Sequence, residues 1–425
     1  MARRRLQALR RPRHERSWVT SFRGEHPVWH AGASRRFGGR VMNVYALDGV
    51  TDFVSAGTRG RRAVLVVDGA VVATGYVDRV RAALAHLDST VVHVVAPGEP
   101  SAASVDDVAG VIRGTRAPIV LAIGGGTALD TGKLAACVAG AAPGVEHYVL
   151  GANPLPPRAP LVAVPTTSGT GSEVTRTCVL TDAAGRKVWA WGGVLLPDLI
   201  VLDVSATVTM PPHVTSATGL DAFVHAVEAS TGRRSTDEVV ANAADAMQLV
   251  LSHLPTAVVD GSQLDARRSM QRAAFLAGMA IDAGGTGIAH AIGHALGSHA
   301  HVPHGASVAV GLAAAMPWNV HGAPGAFGVV AEAVGTSINE LPDRFIELLL
   351  AARFPDVVSA FGPLAMTADQ LAAAMHAPEN RPMHDNNCRH ADEHDRLELA
   401  AATLRLWGDL GGGGGGGGGV GGAAR

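Results

Sequence analysis

The chain has 425 residues, 47% of them hydrophobic, enough to bury two substantial cores, and its formal net charge is only -2. The first forty residues carry eleven arginines against Glu15 and Glu25 but contain no recognisable reader motif, so a nucleic-acid partner is not expected. No stretch offers about 18 uninterrupted apolar residues and the head has no signal-like apolar core, which predicts no membrane partner and a cytoplasmic protein. In chain order, residues 1–40 read as a basic, disordered extension. From 41 to 205, short β-branched runs at 63–68, 91–96, 119–123, 161–164 and 199–202 alternate with helical stretches at 77–87 and 104–113. That alternation predicts a parallel sheet with crossover helices, a Rossmann-like α/β domain. From 206 to 407, alanine-rich amphipathic stretches at 213–231, 236–254, 265–281, 286–298, 306–320 and 325–335 predict an all-α domain. The segment 408–425 contains nine consecutive glycines and is expected to lie outside the fold.

The segment Gly124-Gly-Gly-Thr-Ala-Leu-Asp130-Thr-Gly-Lys133 sets three glycines between a buried strand and a helix start. Glycine lets backbone approach a ligand closely, and free N–H groups at a helix N-terminus favour a pyrophosphate. It is not the G-x-G-x-x-G fingerprint. A second strand exit, Pro165-Thr-Thr-Ser-Gly-Thr-Gly-Ser-Glu173-Val-Thr175, is rich in hydroxyls and bare amides able to bond a ribose-phosphate chain. Asp68 ends the first strong strand, where a carboxylate accepts from ribose hydroxyls and repels a 2′-phosphate, favouring NAD over NADP.

Asp221 and His225 are four residues apart and project from one helical face. Five of the 19 histidines, His290, His294, His299, His301 and His304, fall within 290–304, where even scattering would place fewer than one. An Asp with imidazoles and no thiolate suits Fe(II) or Zn(II). Cys137, Cys178 and Cys388 are too far apart in sequence for a Cys-based metal site and are expected to be reduced and structural. Spacing leaves open which histidines ligate. His290 and His294 form an H-x-x-x-H pair, but residue 291 is Ala, not the glutamate of a zincin.

These motifs, together with Gly219-Leu-Asp221-Ala-Phe-Val-His225-Ala-Val-Glu228 and Gly287-Ile-Ala-His290-Ala-Ile-Gly-His294-Ala-Leu-Gly297, then Pro303-His304-Gly305, closely resemble the iron-containing alcohol dehydrogenase family. The resemblance covers about residues 40–407, including a late Asp385-Asn-Asn-Cys-Arg389. It implies the architecture shared with dehydroquinate synthase-like proteins, an α/β dinucleotide domain facing a helical metal domain, with the site between them. It implies NAD(H)-linked alcohol dehydrogenase or aldehyde reductase activity on a small aldehyde or alcohol, and a homodimer or larger homo-oligomer. By the same resemblance Asp221, His225, His290 and His304 hold the metal, and His294 stands beside the nicotinamide as proton carrier. Asp68, Gly125, Gly126, Thr127, Asp130, Thr166, Thr167, Thr170, Thr177, Val179 and Lys187 match the cofactor positions. Lys187 would reach the ribose, and Thr177 stands where several members have Asn. The chain departs from the family's Asn-Pro-Thr at Gly98-Glu99-Pro100-Ser101, and 335–384 matches weakly. Phosphonoacetaldehyde, reduced to 2-hydroxyethylphosphonate with Arg389 or Arg176 holding the phosphonate, is one expected substrate. The rival is a dehydroquinate synthase-like cyclase, whose metal site uses a Glu where this chain has Asp221.

Overall fold

The computed structural model describes residues 34–37, 40–46, 62–87 and 90–412. The first strands are β1 (Ser34–Phe37), β2 (Arg40–Ala46) and β3 (Arg62–Asp68). They are followed by α1 (Gly69–Val72), α2 (Tyr76–Ala83), β4 (Thr90–Val95), α3 (Ala102–Gly114), β5 (Pro118–Gly124), α4 (Gly126–Val138) and β6 (Leu161–Pro165). A hairpin, β7 (Thr177–Thr181) and β8 (Lys187–Trp191), precedes β9 (Leu199–Leu202). The remainder is helical: α5 (Pro212–Thr231), α6 (Asp237–Val259), α7 (Leu264–Gly284), α8 (Ile288–Ala300), α9 (His304–Gly322), α10 (Gly328–Val334), α11 (Leu341–Ala351), α12 (Phe354–Phe361), α13 (Ala368–Met375), α14 (Arg381–Asn386) and α15 (Glu393–Gly411).

Seven strands form one sheet in the order β1-β2-β9-β6-β5-β3-β4, parallel except for the β1–β2 pair. Alternate residues of β3 explain why both faces are covered. Val64 and Val66 pack with Val105, Val108 and Ile112 of α3 and Leu134 of α4, whereas Ala63, Leu65 and Val67 pack with Val71, Val77 and Val80 of α1 and α2. A parallel sheet buried on both sides needs continuous apolar runs, which is how β3 and β5 read. The parallel strands end on one edge, so Asp68, Gly124 and Pro165 are neighbours at the rim where open α/β sheets bind ligands.

The helical part has its own core, centred on α5 to α9, with Phe223 and Phe345 stacked at 5.4 Å. A small third layer joins the two parts: Val174, Leu196 and Ile200 pack on Phe275 and Met279 of α7. Gly171 has φ +63°, and a Cβ there would lie 2.5 Å from Gly278 Cα, so only glycine lets this loop meet α7.

Two terminal expectations need correction where residues are described. Strand β1 lies inside the basic head, paired through backbone groups that need no apolar side-chain pattern. Helix α15 runs four residues into the glycine-rich tail, behind the buried Trp407, and Gly411 accepts from Ser359 Oγ at 3.2 Å. The rest of the head and tail, including 413–425, lies outside the described residues. Among the described residues no single helix is long and apolar enough to cross a membrane, and none of the three cysteines forms a disulfide.

Candidate metal centre and cofactor cleft

Helix α5 carries Asp221 and His225 on its buried face, one turn apart. Helix α8 supplies His290 and His294, and the chain turns at His301, in the left-handed region at φ 56°, to start α9 on His304. A Cβ on Gly305 would lie 2.3 Å from Ala217 O, so α9 begins directly against α5 and sets His304 opposite Asp221. One ligand atom from each of Asp221, His225, His290 and His304 falls within 4.8 Å of the others. His225 Nε2 and His304 Nε2 lie 3.4 and 3.7 Å from Asp221 Oδ1, and the His225 and His290 rings stack at 4.9 Å.

The polar atoms of this cluster supply the test of whether it fits a cation. Asp221 Oδ1 and His290 Nε2 are buried without a hydrogen-bond partner, an arrangement that costs about 1–3 kcal/mol per group unless something else binds there. The other ring nitrogen of His290, Nδ1, lies 2.5 Å from Glu228 Oε2, and Glu228 Oε1 accepts from Ala289 N at 2.7 Å. A carboxylate behind an imidazole fixes its tautomer and raises its basicity toward a metal. Three imidazoles and a carboxylate with no thiolate are a hard-to-borderline donor set that suits Fe(II) or Zn(II). Burial holds His225 below the ordinary imidazole range, against the pull of Asp221. Burial, then the Lys187 charge, holds His294 and His304 well below it. All three are therefore neutral near pH 7, the form in which His225 and His304 could ligate a metal.

His294 is buried beside this group but is not one of the four, its ring 5.7 Å from His304 and 6.2 Å from His290. His299 and His301 are exposed. The five clustered histidines thus separate into two in the cluster, one beside it and two on the surface.

The sheet rim meets the helix that carries Asp221 and His225 through the second loop, where a Cβ on Gly169 would lie 2.5 Å from Thr218 O of α5. Thr166 N donates to Gly124 O at 2.9 Å. Cβ atoms added to Gly125 and Gly126 would come within 3.2 and 3.1 Å of Thr167 and Thr170, so the glycine turn and the threonine loop lie back to back. Asp68 is half-buried and accepts from Ala70 N at 2.9 Å. Thr127 Oγ1 donates to Gly98 O.

Other expected cofactor positions are turned inward or already paired. Asp130 accepts from Ser172 Oγ and from Val179 N, the latter at 2.8 Å, so both carboxylate oxygens and the Val179 amide serve the protein. Thr177 offers its carbonyl to Lys133. Lys187, expected to reach a ribose, donates to Glu99 Oε1 at 2.7 Å, and Glu99 belongs to the segment where the chain departs from the family pattern.

The two expected phosphonate partners are corrected. Arg176 binds Asp282 through its backbone N at 2.7 Å and Nε at 2.8 Å. Arg389 donates to Trp318 O at 2.8 Å, pairs with Asp395 at 3.3 Å and stacks over the Trp318 ring at 3.9 Å. Both guanidiniums are spent on the fold. Sequence reasoning assigned no role to Glu228 or Lys133, although Glu228 lies seven residues after Asp221 and so on the same helical face.

Comparison with known proteins agrees with this geometry in both halves. The model described as iron-containing alcohol dehydrogenase matches residues 41–204, and that of the C-terminal part of the Fe-containing alcohol dehydrogenase family matches 215–403. The chain is 38% identical to the probable alcohol dehydrogenase EutG of Salmonella typhimurium, over 52% of its own length and only 57% of that protein's. It is 33% identical to sulfoacetaldehyde reductase of Bilophila wadsworthia over 67% of this chain and 78% of that one. The crystal structure of a 1,3-propanediol oxidoreductase has a TM-score of 0.75 at 28% identity, covering 85% of this chain and 97% of that one. Both halves answer to one dehydrogenase family, which displaces the cyclase reading. The chain belongs to the iron-containing alcohol dehydrogenase family.

Proposed function

We propose that the chain is a metal-dependent, NAD(H)-linked alcohol dehydrogenase that works as a reductase of small aldehydes. The observation that carries this is the convergence of Asp221, His225, His290 and His304 with unpartnered, buried ligand atoms. Those four residues would hold Fe(II) or Zn(II), and Gly125, Gly126, Thr127, Thr166, Thr167 and Thr170 would line the dinucleotide. When bound, the metal polarises an aldehyde carbonyl and the dihydronicotinamide supplies the reducing hydride.

The chain's own residues prepare and finish that step. Glu228 keeps His290 Nδ1 occupied, so that Nε2 is the nitrogen offered to the cluster. The buried helices α5, α8 and α9 keep bulk water from the reacting side, where a preformed charge is felt more strongly than in solvent. His294, neutral by burial, can donate a proton from one ring nitrogen while accepting at the other, and so would deliver the proton that completes an alcohol. The names of the related sulfoacetaldehyde reductase and 1,3-propanediol oxidoreductase support a small aldehyde. With Arg176 and Arg389 committed to the fold, a simple alkyl aldehyde is the better candidate than phosphonoacetaldehyde.

The test is NADH oxidation with C2 to C6 aldehydes, phosphonate and carboxylate analogues included, with Fe(II) or Zn(II) returned to stripped protein. Asp221→Ala should abolish turnover and lower metal content while sparing NADH binding. His294→Ala should keep its metal and lose rate, whereas His290→Ala should lose both. An Asp221→Ala protein with full metal and full turnover would sink the assignment.

A further inference from the structure

Two turns into helix α4, Lys133 is completely buried, an unusual place for an ammonium group, whose desolvation costs several kcal/mol even after relaxation. Its surroundings say what holds it there. Nζ donates to the carbonyls of Ser172 at 2.7 Å, Thr175 at 2.9 Å and Thr177 at 3.3 Å. An ammonium has three protons, and these three acceptors lie along one short stretch of chain. Asp130, on the preceding turn of the same helix, lies 3.9 Å away. It binds that stretch from two further points, Ser172 Oγ and the Val179 amide.

The stretch so held is the continuation of the threonine loop. Gly126, the first residue of α4, and Gly125 before it press against Thr170 and Thr167, while Asp130 and Lys133 grip the same loop farther along, at 172–179. The glycine turn and the threonine loop, from sheet strands β5 and β6, are therefore fixed to one helix at both ends. An uncharged side chain of similar length could fill the volume around Lys133, but it could not draw three carbonyls inward.

We infer that Lys133 and Asp130 are positioning residues for the dinucleotide, which set the 166–179 loop against the glycine turn without touching the cofactor themselves. This reassigns Asp130 from cofactor contact to support, and it rests on the dinucleotide-binding reading proposed above. The effect should fall on cofactor affinity and leave the metal cluster, which sits on α5, α8 and α9, alone.

The experiment compares the metal-loaded parent with Lys133→Met and with Ser172→Ala, a milder change that removes one hydroxyl from the network. NADH dissociation constants are read by fluorescence titration, metal content by elemental analysis, and amide hydrogen exchange is followed over 166–179. Lys133→Met should weaken NADH binding by about tenfold or more, and Ser172→Ala by about threefold, as expected for loss of charged or buried hydrogen bonds. Exchange over 166–179 should rise, metal content should stay at the parent level, and the loss should appear in the NADH KM, with kcat at saturating NADH little changed. A merely structural role would lower thermal stability while leaving the NADH affinity of the folded protein and the KM-against-kcat split unmoved. Either soluble variant binding NADH within about twofold of the parent overturns the inference, so failure of Lys133→Met to fold still leaves Ser172→Ala to decide it. If the parent itself binds neither NADH nor NADPH, it is the proposed function that fails.

Discussion

Glu228 shows how much of a site can rest on a residue that touches no ligand. Its two oxygens hold His290 Nδ1 and the amide of Ala289 at the first turn of α8. Glu228→Gln keeps the shape but loses the charge that would make His290 a strong donor to the proposed metal. The expected result is a fall in metal affinity of about 10–100-fold in chelator competition, with NADH binding intact. Unchanged metal affinity would show that His290 needs no such support. Glu173 presents the opposite case, a buried acid whose ionisation works against folding. Burial pushes its carboxyl up to about 7 from 4.5, despite the nearby Lys133 charge. The unfolded chain therefore releases this proton first, so between 4.5 and 7 stability falls as pH rises, and above that window the loss is complete. Glu173→Gln removes the titration. Its melting temperature should decline less than the parent's between pH 5 and 8, and parallel curves would refute this contribution.

Among the elements, the hairpin β7–β8 reaches across to the loop after β4, where Thr181 N donates to Pro100 O at 2.7 Å and Lys187 pairs with Glu99. A carboxylate beside the expected cofactor lysine both occupies its ammonium and adds a negative charge near a diphosphate path. Glu99→Gln should therefore tighten NADH binding severalfold in fluorescence titration, most strongly at low ionic strength, since screened charges matter less in salt. Equal or weaker binding would mean that the pair does not compete with the nucleotide. This hairpin is also where the sequence was least legible. Its strands are five residues each and flank a short turn, so they offered no long periodic signal beside the buried runs of β3 and β5. Strand β1 was hidden for a related reason, because an edge strand is held by backbone pairing and tolerates arginines. The long helices α5 to α9 were legible because each buries a broad apolar stripe. The candidate metal residues are legible only in part. His290 and His294 share one face of α8, and the choice between them depends on where α5 and α9 stand, which spacing on one helix cannot encode.

At the scale of the molecule, the sheet and the helical part must stay in register for a cofactor on one to meet a metal on the other. Two contacts near the second loop set that register: the glycine-to-glycine approach of Gly171 and Gly278, and the pair Arg176–Asp282. The Asp282 side chain is fully buried and that of Arg176 is 24% exposed, so the pair is shielded on the acid side. Burial pushes Asp282 upward even with Arg176 present, opposed by the amide and guanidinium of Arg176. Arg176→Leu would leave a buried carboxylate without its cation, a change expected to cost about 3–5 kcal/mol at neutral pH. The sign of its pH dependence follows from the same linkage. An acid raised in the folded state costs stability above its unfolded pKa, and removing Arg176 raises it further, so the deficit should shrink as pH falls toward the carboxylate range. Urea unfolding at pH 7.5 and pH 5 separates this electrostatic cost from simple loss of packing, which would give the same deficit at both. A pH-dependent deficit together with weaker NADH-linked turnover and unchanged metal content would place the Arg176–Asp282 pair as the joint that keeps the sheet rim aligned with the metal cluster.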